Sequence, residues 1–97
     1  MASVTIRRAW PDDETAIARL AALDSQPVPR GELLVADVEG ELWAAVAIDA
    51  SAAIADPFHP TADLVELLRS RAAQLRAAGL PRRRLRATAR RLLRPVE

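Results

Sequence analysis

The sequence predicts a mixed α/β (α+β) fold with elements in the order β-α-β-β-β-α. It reads as a mainly antiparallel meander with two packing helices, followed by a basic C-terminal helix. Three observations predict it. Short apolar runs of strand character are confined to the stretch before Pro57, and turn residues separate them. Two other stretches space their apolar residues as a helix does. Prolines at 11, 27, 29, 57, 60 and 81 stand at the joints, where a residue without an N–H can end or begin an element. Ninety-seven residues make one domain at most. A chain this size buries roughly 60–70% of the surface its unfolded form exposes. Much of the 51% apolar content is alanine, so each Leu, Ile and Val carries more of the core.

Val4-Thr5-Ile6-Arg7 alternates apolar and polar residues, as a half-buried strand does. Pro11 and Asp12-Asp13-Glu14 then mark a helix start. Acids in a first turn meet the positive end of the helix dipole, and Asp12 is placed to cap free N–H groups. Ala16, Ile17, Leu20 and Ala21 give that helix an apolar face, and Ser25-Gln26-Pro27-Val28-Pro29 ends it. Leu33–Val38 reads as a strand, Glu39-Gly40 as a two-residue hairpin turn, and Leu42–Ile48 as the return strand. The return strand is apolar on both faces, which predicts a central strand covered on both sides. Asp49-Ala50-Ser51 makes a second turn, and Ala52–Ala55 a short third partner stopped by Pro57 and Pro60.

Thr61 is a candidate N-cap for the best helix in the chain. Its stripe is Leu64, Val65, Leu67, Leu68, Ala72, Leu75 and Ala78, and Gly79, Leu80 and Pro81 predict its end. Beyond it, Leu85, Ala89, Leu92 and Leu93 fall at i, i+4, i+7 and i+8 among arginines, a short amphipathic helix with a basic face. Helices shorter than about 12–15 residues are marginal alone in water, so this one needs a docking surface or a partner. The chain therefore divides into a body, residues 1–80, and an arginine-rich segment, residues 81–97.

Val4-Thr5-Ile6-Arg7-Arg8-Ala9, with Pro11-Asp12-Asp13 opening a helix that holds Ile17-Ala18-Arg19-Leu20, resembles the N-terminus of the GNAT superfamily of N-acetyltransferases. Val35-Ala36-Asp37-Val38-Glu39-Gly40-Glu41-Leu42-Trp43-Ala44-Ala45 resembles that family's second and third strands with their hairpin. The resemblance covers roughly residues 3–56 and implies the N-terminal half of the GNAT fold. None of these motifs is catalytic, so they bear on fold alone.

In that superfamily a stretch of the form Arg/Gln-x-x-Gly-x-Gly/Ala follows the fourth strand. Its amides and the helix N-terminus hold the pyrophosphate of acetyl-CoA. The same place here reads Asp56-Pro57-Phe58-His59-Pro60-Thr61-Ala62-Asp63. It has no glycine, Pro57 and Pro60 lack the N–H, and Asp56 and Asp63 carry negative charge. At Asp56, Pro57, Pro60 and Thr61 we therefore expect no cofactor binding; acetyl-CoA is the cofactor only if the chain is enzymatic. The superfamily also continues into further strands and often supplies a tyrosine as general acid, whereas this chain has no tyrosine. Asp49 and Asp56 are the carboxylates near strand ends that an amine-deprotonating base would require, but a turn and a strand end explain them as well. His59, between prolines, reads as a solvated loop residue before it reads as a base. Trp10 and Trp43 read as packing residues before they read as stacking platforms.

Charge is split end from end. Residues 1–68 hold four arginines against twelve acids, a net of −8, and residues 69–97 hold ten arginines against Glu97, a net of +9. Every basic residue is arginine, which suits bidentate phosphate contacts and also GC-rich coding. Arg82, Arg83, Arg84, Arg86, Arg90, Arg91 and Arg94 are the candidate anion-binding residues. Their partner is open among nucleic acid, an anionic membrane surface, and the acidic body itself around Glu32, Glu39 and Glu41. Homodimerisation through an exposed sheet edge is a further possibility.

No cysteine excludes disulfides and thiolate chemistry, and one histidine leaves no histidine-rich metal site. No stretch has signal-peptide or transmembrane length, so a cytoplasmic protein is expected. Three function classes follow: a GNAT-like interaction module without acetyltransferase activity, an acyl-CoA-dependent N-acetyltransferase, acting alone or completed by a partner chain, and a nucleic-acid- or ribosome-associated accessory protein.

Overall fold

A computed structural model describes residues 3–78. The strands are β1 (Val4–Arg8), β2 (Leu33–Val38), β3 (Glu41–Ala47) and β4 (Ala53–Ala55). Helix α1 (Glu14–Leu23), entered through a 3-10 turn at Pro11–Asp13, links β1 to β2, and α2 (Ala62–Ala78) follows β4. The strands form one antiparallel sheet in the order β1-β2-β3-β4. The predicted meander and element order are therefore present, with boundaries within a residue or so. The predicted stop at Gly79-Leu80-Pro81 and the basic helix lie outside the described residues.

The sheet is covered on both faces, as the doubly apolar β3 requires. Ile17, Leu20 and Ala21 of α1 pack on Leu33, Val35, Leu42, Ala45, Ala47 and Ile54. Leu68 and Ala72 of α2 pack on Leu34, Ala36, Ala44, Val46 and Ile48 from the other side. Alternate residues of each strand thus feed two separate cores. One irregularity sets this parity. Ala36 pairs with Ala44 but Asp37 pairs with Leu42, leaving Trp43 as the extra residue of a β-bulge. The bulge reverses the alternation and turns Leu42 to the α1 side, where it is buried.

Local chemistry fixes the ends. Asp13, not Asp12, serves the start of α1: its Oδ2 accepts the Trp10 N–H at 2.6 Å, the reach-back half of a capping box. Helix α1 ends in a Schellman pair, Gln26 N–H to Ala21 O and Ser25 N–H to Ala22 O, with Ser25 in the left-handed region at φ 54°. Glu39 and Gly40 have φ of 52° and 90°, the two positive values a type I′ hairpin turn needs, and Asp37 Oδ1 accepts the Gly40 N–H. Helix α2 begins with the Val65 N–H on Thr61 O. Two of its arginines hold the β3–β4 connection: Arg76 donates to Ile48 O at 2.7 Å and Arg69 to Ser51 O at 3.2 Å. Leu67 departs from the predicted stripe. It lies 100° around the helix from Leu68, and it stays half exposed.

The outer strands are β1 and β4. Strand β4 turns Ile54 and its even neighbours to β3, which leaves the Ala55 N–H pointing away from the sheet. Asp24, the C-cap residue of α1, accepts that N–H through Oδ2 at 3.2 Å. Among the described residues no helix is long and apolar enough to cross a membrane.

Candidate functional site

The β4–α2 loop opens on Asp56, whose N–H continues the ladder to Trp43 O. The Asp56 side chain is buried at 2% residue exposure, and its Oδ1 accepts the Phe58 N–H at 2.8 Å. This is an Asx turn, in which a carboxylate replaces a backbone acceptor and reverses the chain. Asp56 thus occupies one of the loop's own amides with a fixed negative charge. Pro57 and Pro60 are exposed, Thr61 is half-buried ahead of α2, and Asp63 lies in the first turn.

The turn returns His59 to the bulge. Its imidazole stacks on Trp43 with ring centroids 3.8 Å apart and planes 7° from parallel. His59 Nε2 lies 3.5 Å from Glu41 Oε1 and 3.7 Å from Asp56 Oδ2. Glu41 Oε1 also accepts the Trp43 indole N–H at 2.9 Å. The expectation of a solvated loop histidine is corrected: His59 is half-buried in a cluster of Glu41, Trp43 and Asp56. The physical reason is non-local. The bulge makes Trp43 an extra residue just where the Asx turn delivers His59, and nothing in the sequence near His59 signals it. The cluster sets the His59 imidazole beside two carboxylates and closes the loop over the end of β3. Among the described residues no group of three or more His, Cys, Asp or Glu side chains is arranged to hold a metal.

A second constellation holds the other face. Arg7 on β1 donates to Asp13 Oδ2 at 2.7 Å and Oδ1 at 3.1 Å, and to Asp37 Oδ2 at 3.4 Å. Its guanidinium carbon sits 4.0 Å over the Trp10 ring. The bond from Arg7 is the main cause that holds the Asp13 carboxyl below its ordinary pKa, against the opposing effect of burial; the Trp10 N–H adds to the lowering. The same bond, accepted by Asp13, raises the pKa of Arg7. Trp10, read from the sequence as a core or edge packing residue, lies at the edge: it is 59% exposed, with Arg7 on one face. It walls an open groove of about 640 Å³ between the start of α1 and residues 28–33. Sequence reasoning missed this groove, because its two walls are far apart in the chain.

The other predicted site residues, Arg82, Arg83, Arg84, Arg86, Arg90, Arg91 and Arg94, lie outside the described residues. Compared with family models, curated proteins and solved structures, the chain matches none.

Proposed function

We propose that this chain is a small interaction module without acetyltransferase activity, built on a β-α-β-β-β-α half of a GNAT-like fold. The observation that supports it best is Asp56. An acetyltransferase of that architecture receives a pyrophosphate at the loop after the fourth strand, on free amides. Here the loop's first residue is a buried carboxylate already bonded to the Phe58 N–H. Two phosphates brought there meet Asp56 and Asp63, and the prolines at 57 and 60 offer no donor. Like charge at short range in a partly buried site costs several-fold more than in open water.

Thermal unfolding with and without millimolar acetyl-CoA tests this reading. The expected result is an unchanged Tm and unchanged amide exchange across residues 56–64. A cofactor bound a hundredfold above its Kd adds about 2.7 kcal/mol of stability. In a domain this small that raises Tm by roughly 10 °C or more, and such a rise would overturn the reading.

A further inference from the structure

The two edges of the sheet are finished differently. On β4, Asp24 holds the Ala55 N–H. On β1, Ser3 O accepts the Glu39 N–H and the Ala9 N–H donates to Leu33 O, so the odd-numbered residues face β2. The N–H and C=O groups of Val4, Ile6 and Arg8 therefore point outward. Among the described residues no strand lies beyond β1. The Arg8 carbonyl accepts Arg7 Nη1 at 3.3 Å, and a carbonyl has room for a second bond. Edge strands are usually blunted by prolines, bulges or unmatched charges. Strand β1 holds no proline, and its register runs from Val4↔Val38 to Arg8↔Leu34 without a bulge. Its arginines are matched within the copy, Arg8 with Glu32 and Arg7 with Asp13 and Asp37.

We propose that a second copy of this chain adds at that edge, β1 antiparallel to β1 about a two-fold axis at Ile6. The proposal rests on the interaction-module reading, for which it supplies the partner. Three observations carry it. The first is self-complementarity. The axis sets Ile6 opposite Ile6 and Val4 opposite Arg8, and residues paired in this way exchange N–H and C=O bonds. Thr5 falls opposite Arg7, so no arginine directly faces another. Ile6 already packs against the α2-side core, and its pairing with Ile6 of the second copy joins the two cores. Val4, on the same face, is 45% exposed and gains cover from the Arg8 stem.

The second is charge. The Glu39 N–H on Ser3 O places the exposed Glu39 turn beside the start of β1. Antiparallel docking brings the arginine end of one copy alongside the acidic turn of the other. Parallel docking would set arginine end against arginine end. The whole chain carries a net charge of only +1, so little overall repulsion opposes association. The third is closure. Pairing through β1 leaves β4 as the outer strand of both copies, and there Asp24 occupies the Ala55 N–H. The contact uses the same surface on each copy and closes at two.

A five-residue edge makes a small interface, so the dimer is weak and is read between roughly 10 μM and 1 mM of the full chain. Sedimentation equilibrium should show the mass rising from monomer to dimer across that range. Amide exchange at Val4 and Ile6 should slow with it, while Thr5 and Arg7 stay protected by β2 throughout. Val4→Pro removes an outward N–H and spares the ladder to β2, so it should hold the chain monomeric with an unchanged far-UV CD spectrum. Val4→Arg repels Arg8 of the second copy and Val4→Glu attracts it. Dimerisation should weaken in the first and tighten in the second, each by roughly 2- to 30-fold. These opposite signs decide the matter even where Val4→Pro frays the strand. Three outcomes overturn the proposal: a monomer at the highest concentration, protection of Val4 and Ile6 that dilution leaves unchanged, or a dimer that ignores both charge variants. A monomer that also ignores acetyl-CoA overturns the dimer alone. A dimer whose Tm rises with acetyl-CoA overturns the non-catalytic reading alone.

Discussion

The two faces of the sheet are held by different physics. On the α1 face, three buried helix residues, Ile17, Leu20 and Ala21, pack on large partners such as Leu33, Leu42 and Ile54. A charged clamp of Arg7, Asp13 and Asp37 closes one end, and a Schellman turn closes the other. On the α2 face the sheet offers Leu34, Val46 and Ile48 with Ala36 and Ala44, and only Leu68 and Ala72 of the helix are fully buried. Leu64, Val65 and Leu75 are half-buried, and arginines tie the helix to backbone carbonyls. The apolar area that fastens α2 therefore comes from few fully buried helix side chains. The α1 face is closed at both ends by polar contacts, whereas on the α2 face Leu68 is the one large helix side chain that is fully buried.

The largest expected effect tests that contrast directly. Leu68→Ala and Leu20→Ala each remove a fully buried side chain and should each cost about 2–5 kcal/mol. They should differ in where the loss appears. Leu68→Ala releases α2 first, so amides of residues 62–78 exchange faster while those of α1 keep their protection. Leu20→Ala lowers protection throughout the sheet. Equal exchange patterns in the two variants would erase the distinction between the faces.

The next effect concerns the clamp. Asp13→Asn leaves Arg7 without its closest charged partner and should cost about 2 kcal/mol near neutral pH, read from urea unfolding. The folded pKa of Asp13 is lowered, so its contribution is complete above the ordinary aspartate pKa and is lost as pH falls through the lower, folded value. The difference between wild type and Asp13→Asn should therefore shrink on acidification. A difference that stayed constant down to strongly acid pH would remove the ion pair from the account of the α1 face. The smallest effect is a gain. Ser25→Gly relieves a left-handed serine and should add about 0.5–1 kcal/mol without altering either core.

Most of the strand plan was legible because it rests on local pattern. Leu33–Val38, the Glu39-Gly40 turn and the doubly apolar return strand announce a covered meander, and the observed hairpin and its turn agree. The site was less legible. The extra residue at Trp43 has no signature of its own, since Leu42-Trp43-Ala44 is apolar in any register. It decides both that Leu42 faces α1 and that His59 finds an indole to stack on. Asp12 and Asp13 are equivalent in the sequence, and only the 3-10 turn brings Asp13 back to the Trp10 N–H. The groove brings Trp10 and Val28 into one lining, which no spacing rule connects.

Asp24 has a consequence for assembly. The rim of a β-sheet is a growing end, and each unpaired amide along it is an invitation to the next chain. Here the carboxylate beside the α1 ending sits on the Ala55 amide, so the residue that stops a helix also stops the sheet. An incoming strand has to evict a charge before it can add its first rung. Asp24→Ala opens that rung, and the molecule gains a templating surface where it now has a terminator.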